Sequence, residues 1–334
     1  MDRVLVTGAN GFIGQHLVKK LIEKDYLVHG LVMPNTALGE LSLLDNKSLK
    51  LVQGDLTNYN SLLNATKDVN EIIHLAGIVK YVNLSDGLYW DINVNGTENL
   101  LKACVENKLK LKRFIYCSTV DVYGGLEDQD KVISEDFQPK PKGIYSKTKY
   151  ESELVCNKYN QEHKIPITIL RPGRVYGEGD LTFLPFLRLI KRKLYFNIGT
   201  RDTYMSSIYV EDLVNAFILA LENPKAIGNT YIITNDEIVT KKEFANTIAS
   251  ELNIKLSNLS LPKSFVIPPV YVLEKLYSII GKNPPFSTKK LEFFLQSKKY
   301  SIEKAKKELG YKQQTSIKEG IRRTVEWYKK RNLI

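Results

Sequence analysis

Tyr145 and Lys149 stand four residues apart in the run Tyr145-Ser146-Lys147-Thr148-Lys149. On a helix that spacing puts both side chains on one face. A free phenol ionises near pH ~10, so only about one in a thousand is phenolate at neutral pH. An ammonium about 4 Å away in a partly shielded site is worth roughly 4 kcal/mol, or about three pH units. Tyr145 would then be a usable proton acceptor. Lys147 and Tyr150 show how readily such pairs arise on a helix, so the pair needs company. Ser118-Thr119 supplies hydroxyls at the end of an apolar run, suited to polarising a substrate oxygen. Gly8, Gly11 and Gly14 supply a tight turn that lets a pyrophosphate approach the backbone, ahead of a helix N-terminus with its N–H groups and partial positive charge. Cradle, hydroxyl and phenol in that order point to hydride chemistry on an alcohol or ketone.

The elements that must hold these groups are legible as alternating patterns. Strands are expected at 4–7, 27–32, 49–53, 71–75, 113–117 and 167–170, with helices near 11–23, 60–66, 88–106 and 145–162. Continuous apolar strands alternating with helices predict an α/β fold: a Rossmann-type, doubly wound parallel sheet covered on both faces. After Arg171-Pro172-Gly173 the pattern changes. Helices are expected at 184–190, 211–221, 240–252, 302–309 and 316–330, and a short strand at 231–233. Thr240 with Glu243 three residues on reads as a helix cap. Residues 1–172 are therefore expected to form a dinucleotide-binding domain. Residues 173–334 are expected to form mainly a smaller mixed α/β substrate lobe, with part of 205–233 returning to the sheet.

Composition narrows the class. The chain has 334 residues, 43% of them hydrophobic and 25% charged, an ordinary soluble balance. The net charge of +11 is spread among acids, as at Glu303-Lys304, and no aromatic-basic nucleic-acid module occurs, so no nucleic-acid partner is expected. Cys104, Cys117 and Cys156 have no paired spacing, which fits free thiols in a reducing cytoplasm. No leader-like stretch precedes the first strand, and no apolar run is long enough to span a bilayer. The greasiest stretch, residues 264–280, is expected as lobe core. No metal-ligand pattern is evident.

The spacing Gly8-x-x-Gly11-x-x-Gly14, with Tyr145-x-x-x-Lys149, resembles the extended branch of the short-chain dehydrogenase/reductase superfamily, the NAD-dependent epimerases and dehydratases, over nearly the whole chain. The resemblance implies cofactor contacts from Gly8, Asn10, Gly11, Phe12, Ile13 and Gly14. It adds Asp55 and Leu56 at the adenine, and Leu75, Ala76 and Gly77 near the adenosine ribose. Asn93 would steady the strand ends, and Pro172 would lie beside the nicotinamide. Tyr145 and Lys149 complete the set, with Lys149 also holding the nicotinamide ribose. It places the catalytic hydroxyl at Thr119. Ionised Tyr145 would take the hydroxyl proton as hydride leaves the carbon, with Thr119 donating to the same oxygen. Relatives often pair through helices matching 88–106 and 145–162, so a homodimer is expected. At the end of the second strand, Leu31-Val32-Met33-Pro34-Asn35 offers neither the carboxylate that suits NAD nor the arginine that suits NADP. Without a cation for the extra phosphate, NAD is favoured.

For substrate, the branch suggests first a nucleotide-linked sugar, handled by an epimerase or related oxidoreductase. Ser118, Asp121 and Arg201 are the candidate substrate residues. Several residues depart from that reading. Val120-Asp121 stands where sugar dehydratases carry Asp-Glu, and Met205-Ser206 stands where many sugar-nucleotide members carry Arg-Asp. The alternative is a 3β-hydroxysteroid-dehydrogenase-like enzyme acting on a lipid alcohol. The third is a dinucleotide-sensing protein without catalysis, which the intact Thr119-Tyr145-Lys149 set argues against.

Overall fold

The chain opens with β1 (Arg3–Thr7), which runs directly into the glycine turn and then α1 (Phe12–Glu23). β2 (Leu27–Val32), β3 (Leu49–Gln53), α2 (Tyr59–Ala65) and β4 (Glu71–His74) continue the alternation. The helix expected at 88–106 is a jointed rod: α3 (Asp86–Tyr89), a π-helical turn (Trp90–Asn95) and α4 (Gly96–Glu106). β5 (Arg113–Cys117), β6 (Val132–Ile133), α5 (Ile144–His163) and β7 (Ile167–Pro172) follow. The computed structural model describes residues 2–44, 47–79, 84–124, 131–199, 201–257, 259–279 and 297–334. Of Pro262, Pro268, Pro269, Pro284 and Pro285, which by sequence should break the region after residue 252, Pro284 and Pro285 lie outside them, and Pro268 and Pro269 instead sit inside the helix Lys263–Ile279.

Seven strands form one sheet. The second half adds β8 (Arg174–Tyr176), α6 (Leu184–Lys191), β9 (Asn197–Ile198), β10 (Tyr204–Met205), β11 (Ser207–Tyr209), α7 (Val210–Glu222) and β12 (Thr230–Ile233). The sheet order is β12-β7-β5-β4-β1-β2-β3, parallel at every pairing. β12 is the strand from the 205–233 segment that returns to the sheet, beside β7. The order reverses between β1 and β4, and ligands of such sheets bind in the crevice at that point. β1 shows why both faces are covered. Val4 and Val6 point into one layer with Leu17, Val18 and Leu21 of α1 and Leu213 and Phe217 of α7. Leu5 points into the other with Leu100, Leu101 and Cys104 of α4 and Cys156 and Tyr159 of α5. A two-residue period with both faces apolar is what a parallel sheet between helices demands.

The lobe has its own core. β13 (Val239–Thr240), α8 (Lys241–Glu251), β14 (Ser260–Leu261), α9 (Lys263–Ile279) and β15 (Lys299–Tyr300) precede the C-terminal helix Ile317–Lys330. Tyr176, Leu187, Ile190, Phe244, Ile248, Ile321 and Val325 pack together between these helices. Thr240 and Glu243 form the expected reciprocal cap on α8. One expectation fails. The 264–280 stretch is not lobe core: among its described residues only Val266 is buried, whereas Phe265, Val272, Leu276 and Ile279 are exposed. Among the described residues the core beneath α9 is small, Ile198 and Val266 with a few partly buried neighbours, and it does not cover the exposed apolar side chains.

Candidate active site

The cradle is built by steric exclusion. Gly8 has a φ of +67°, and a Cβ there would lie 3.1 Å from the Ala76 backbone beyond β4. A Cβ on Gly14 would lie 2.1 Å from the Gly8 carbonyl oxygen, so only glycine lets α1 start this close to the turn. The first turn of α1 carries no acidic residue, and Gly11 offers no side-chain cap. Its N–H groups and dipole are thus left for an anion. These residues fit a dinucleotide pyrophosphate. Asn10 plays a bracing part: its amide donates to Thr36 Oγ1 (3.1 Å) and to the Ala37 carbonyl (2.9 Å). Phe12 packs partly against the lobe core and Ile13 against the sheet layer. Asn35 lies at φ +60°, a turn residue in the left-handed region.

A buried relay sets the floor of the crevice. Thr7 Oγ1 accepts the Leu75 and Ala76 N–H groups (3.1 Å each), so its own proton goes to His74 Nδ1 at 2.7 Å. His74 must then carry its proton on Nε2, which donates to Thr97 Oγ1 at 3.0 Å. Burial holds this imidazole neutral, its pKa pushed down to about 3. Asn93 sits in the π-helical turn. Its Oδ1 accepts the Ile78 N–H (2.7 Å) and its Nδ2 donates to Thr148 Oγ1 (3.1 Å), tying the loop after β4 to α5. Gly77 is held beneath it, since a Cβ there would lie 2.8 Å from Asn93 Oδ1. Leu56 is buried, and Asp55 caps its own turn by accepting from the Thr57 N–H and hydroxyl (2.8 Å each).

Thr119 follows β5 and Tyr145 opens α5, and the Thr119 hydroxyl bears on the Tyr145 phenol. Thr119 Oγ1 also accepts the Asp121 N–H at 3.1 Å, which orients it. Lys149 is buried one turn further along α5, its Nζ 4.2 Å from the centre of the Tyr116 ring. Thr119 thus caps the turn after β5, and Tyr145 and Lys149 lie one turn apart on α5. Tyr145 is pushed above the ordinary phenol value, first by burial and then by the Asp121 carboxylate, while the Thr119 hydroxyl and the Arg174 charge pull it down. Lys149 is not among these leading influences. Its ammonium rests on Tyr116 and is itself pushed down by burial, against the opposing pull of Glu153 and two thiols.

Ser118, expected beside the substrate, is turned inward. Its hydroxyl donates to Glu153 of α5, and Glu153 also receives Arg171 Nε (2.9 Å) and Nη2 (2.5 Å). Arg171 Nη1 donates to the Tyr123 hydroxyl. This buried strut links β5, α5, β7 and the turn after Thr119, so Arg171 is a brace and Pro172 the buried end of its strand. Lys298 Nζ donates to the Tyr123 carbonyl and Tyr300 Oη to the Val120 carbonyl (3.2 Å), closing the turn from the lobe side. Arg201 is exposed and lines a lobe cavity of about 190 Å³ with Asn197, Asp202 and Lys242. Two groups escaped the sequence reading. Glu153 had a signal, four residues after Lys149 and so on its helical face. Arg174, whose guanidinium pairs with Asp180 at 3.1 Å and bears on Tyr145, had none.

Comparison with known proteins agrees with this geometry. The family described as NAD dependent epimerase/dehydratase matches residues 4–234. A 3beta-hydroxysteroid-dehydrogenase/decarboxylase of Arabidopsis thaliana is 28% identical, over 96% of this chain and 78% of that protein. A sterol-4-alpha-carboxylate 3-dehydrogenase (decarboxylating) of Mus musculus is also 28% identical, over 96% and 89%. Among solved structures, UDP-glucuronic acid 4-epimerase from Bacillus cereus, in complex with UDP-glucuronic acid and NAD, superposes with a TM-score of 0.77 at 27% identity, covering 98% and 99% of the two chains.

Proposed function

The chain belongs to the NAD dependent epimerase/dehydratase family, as an enzyme of the extended short-chain dehydrogenase/reductase type with a nicotinamide dinucleotide cofactor, and on that premise we propose that it oxidises a ring alcohol of a steroid-like or other lipid substrate. The observation that carries this reading is Tyr145 one turn before buried Lys149 on α5, with the Thr119 hydroxyl bearing on the phenol, in a chain whose relatives are named for 3-hydroxysteroid oxidation. Those relatives put the lipid alcohol ahead of the nucleotide sugar that the sequence suggested first. Met205 and Ser206 support the change: Met205 is buried and the Ser206 hydroxyl donates to the Lys298 carbonyl (2.6 Å), so neither presents a charge to a diphosphate.

The residues divide the work. Bound oxidised nicotinamide supplies a hydride acceptor and a positive charge. Thr119 orients the substrate oxygen and Tyr145 accepts its proton. Lys149 keeps a cation buried along the same helix face, and Asp121 opposes ionisation of the phenol. NAD is the proposed form, since the turn after β2 ends on Asn35 with no arginine for a second phosphate. A homodimer through α5 and the 86–106 rod is proposed from Leu88, Trp90 and Leu154, which are exposed there. None of the described helices is long and apolar enough to cross a membrane.

The test is a product assay with NAD. A 3β-hydroxysteroid panel, with and without a carboxylate on the neighbouring carbon, should accumulate NADH, with carbon dioxide released from the carboxylated members. Conversion of UDP-sugars without net NADH, and silence on the steroids, would overturn the reading.

A further inference from the structure

We propose that α9 is a docking element for the surface of an anionic lipid bilayer, lying in the headgroup plane. A surface helix of a soluble protein turns its polar side outward. This one is apolar on its outward side as well as its inward one. Val266 is buried and Val270 packs with Ile198 beneath it. Phe265, Val272, Leu276 and Ile279 follow at steps of seven, four and three residues, one stripe of the helix, with exposures of 72%, 56%, 55% and 80%. Pro268 and Pro269 fall in the same stripe and are exposed, and exposed Tyr271 lies toward its edge. At 17 residues the helix is about 25 Å long, enough to lie along a membrane interface.

Two further observations select lipid as the occupant. The first is charge. Glu274 is the only acid on the helix, against Lys263 and Lys275, and the whole chain carries +11. Lys263 lies over Gly199, which shares its cavity with exposed Arg201 and Lys242, Asp202 being the acid among them. Cationic groups thus flank the N-terminal end of the stripe. Lys275 has its Nζ 5.6 Å from the Tyr271 ring, an apolar stem with a charged head beside an aromatic of the interfacial type. The second is backbone. Pro268 and Pro269 have no amide hydrogen, so the Ser264 and Phe265 carbonyls lack their helical donors. A dry protein interface would bury those acceptors unpaired, whereas a hydrated headgroup layer satisfies them.

The full chain is sedimented with phosphatidylcholine vesicles, with and without phosphatidylglycerol. It should pellet with the anionic vesicles and be released by salt. Val272→Ser with Leu276→Ser should weaken partition at least about tenfold. Melting temperature and NAD binding should stay unchanged, because both side chains are exposed. A second pair, Phe265→Ser with Ile279→Ser, guards against a local effect of the first. Equal binding to uncharged vesicles, retention in the supernatant, or a parent dimer that the double variant converts to monomer would each overturn the proposal. Vesicle binding is read without substrate, so its failure is separate from failure of the dehydrogenase reading.

Discussion

Replacing Glu153 by Gln tests whether the strut behind the site is electrostatic. Glu153 and Arg171 side chains are 2% and 8% exposed, and their closest approach is 2.5 Å. Glu153 accepts three hydrogen bonds, from Ser118 and from two guanidinium nitrogens. Gln keeps the shape but removes the charge and turns an N–H₂ group toward donors. The Arg171 guanidinium is then buried without its counter-charge. Breaking one partner of such a pair costs about 3–5 kcal/mol, which lowers the melting temperature on the order of 10 °C. Removing both charges in Glu153→Leu with Arg171→Met should recover most of that loss, since the uncompensated charge is gone. Thermal melts of parent, single and double variants give the answer. Ser118 precedes Thr119, so the single variant should also lose turnover while NAD affinity holds. A single variant melting within about 2 °C of the parent, or a double variant no better than the single, would refute the reasoning.

Tyr145→Phe should remove nearly all turnover and leave NAD affinity, read by fluorescence titration, close to the parent value. Asp121→Asn should move the acid limb of the pH–rate profile to lower pH, because the carboxylate holds the Tyr145 phenol up and its loss favours the phenolate; an unmoved limb would detach Asp121 from the proton transfer. Gly14→Ala places a Cβ 2.1 Å from the Gly8 oxygen, so NAD binding should weaken more than about tenfold, by at least about 1.4 kcal/mol in isothermal titration. His74 has a folded pKa of about 3 against an ordinary 6.5, so the unfolded chain binds the proton first. Its contribution is complete above pH ~6.5 and is lost as pH falls toward about 3, by about 5 kcal/mol at most. His74→Gln should flatten the pH dependence of stability across that window in denaturant melts.

What the amino-acid order decided by itself is local. The glycine turn follows from residues six positions apart that must approach within van der Waals contact. The strands follow from two-residue alternation, and the Thr240–Glu243 cap from a spacing of three. Tyr145 and Lys149 share a helix face because the helix has 3.6 residues per turn. The destinations of the polar groups were decided by the tertiary structure. Ser118 and Thr119 are neighbours on one strand end, yet one turns to Glu153 and the other caps its own turn at the Asp121 N–H. Lys149 rests on Tyr116, from a strand more than 30 residues away, a contact that the helical spacing does not announce. Arg174 bears on Tyr145 although 29 residues separate them, because β7, the strand before it, packs on α5. The apolar run of α9 faces outward because the core offered to it is too small. A period or a cap needs only the adjacent chain; the field at a buried atom depends on which distant segments exclude water from it and which charges they bring.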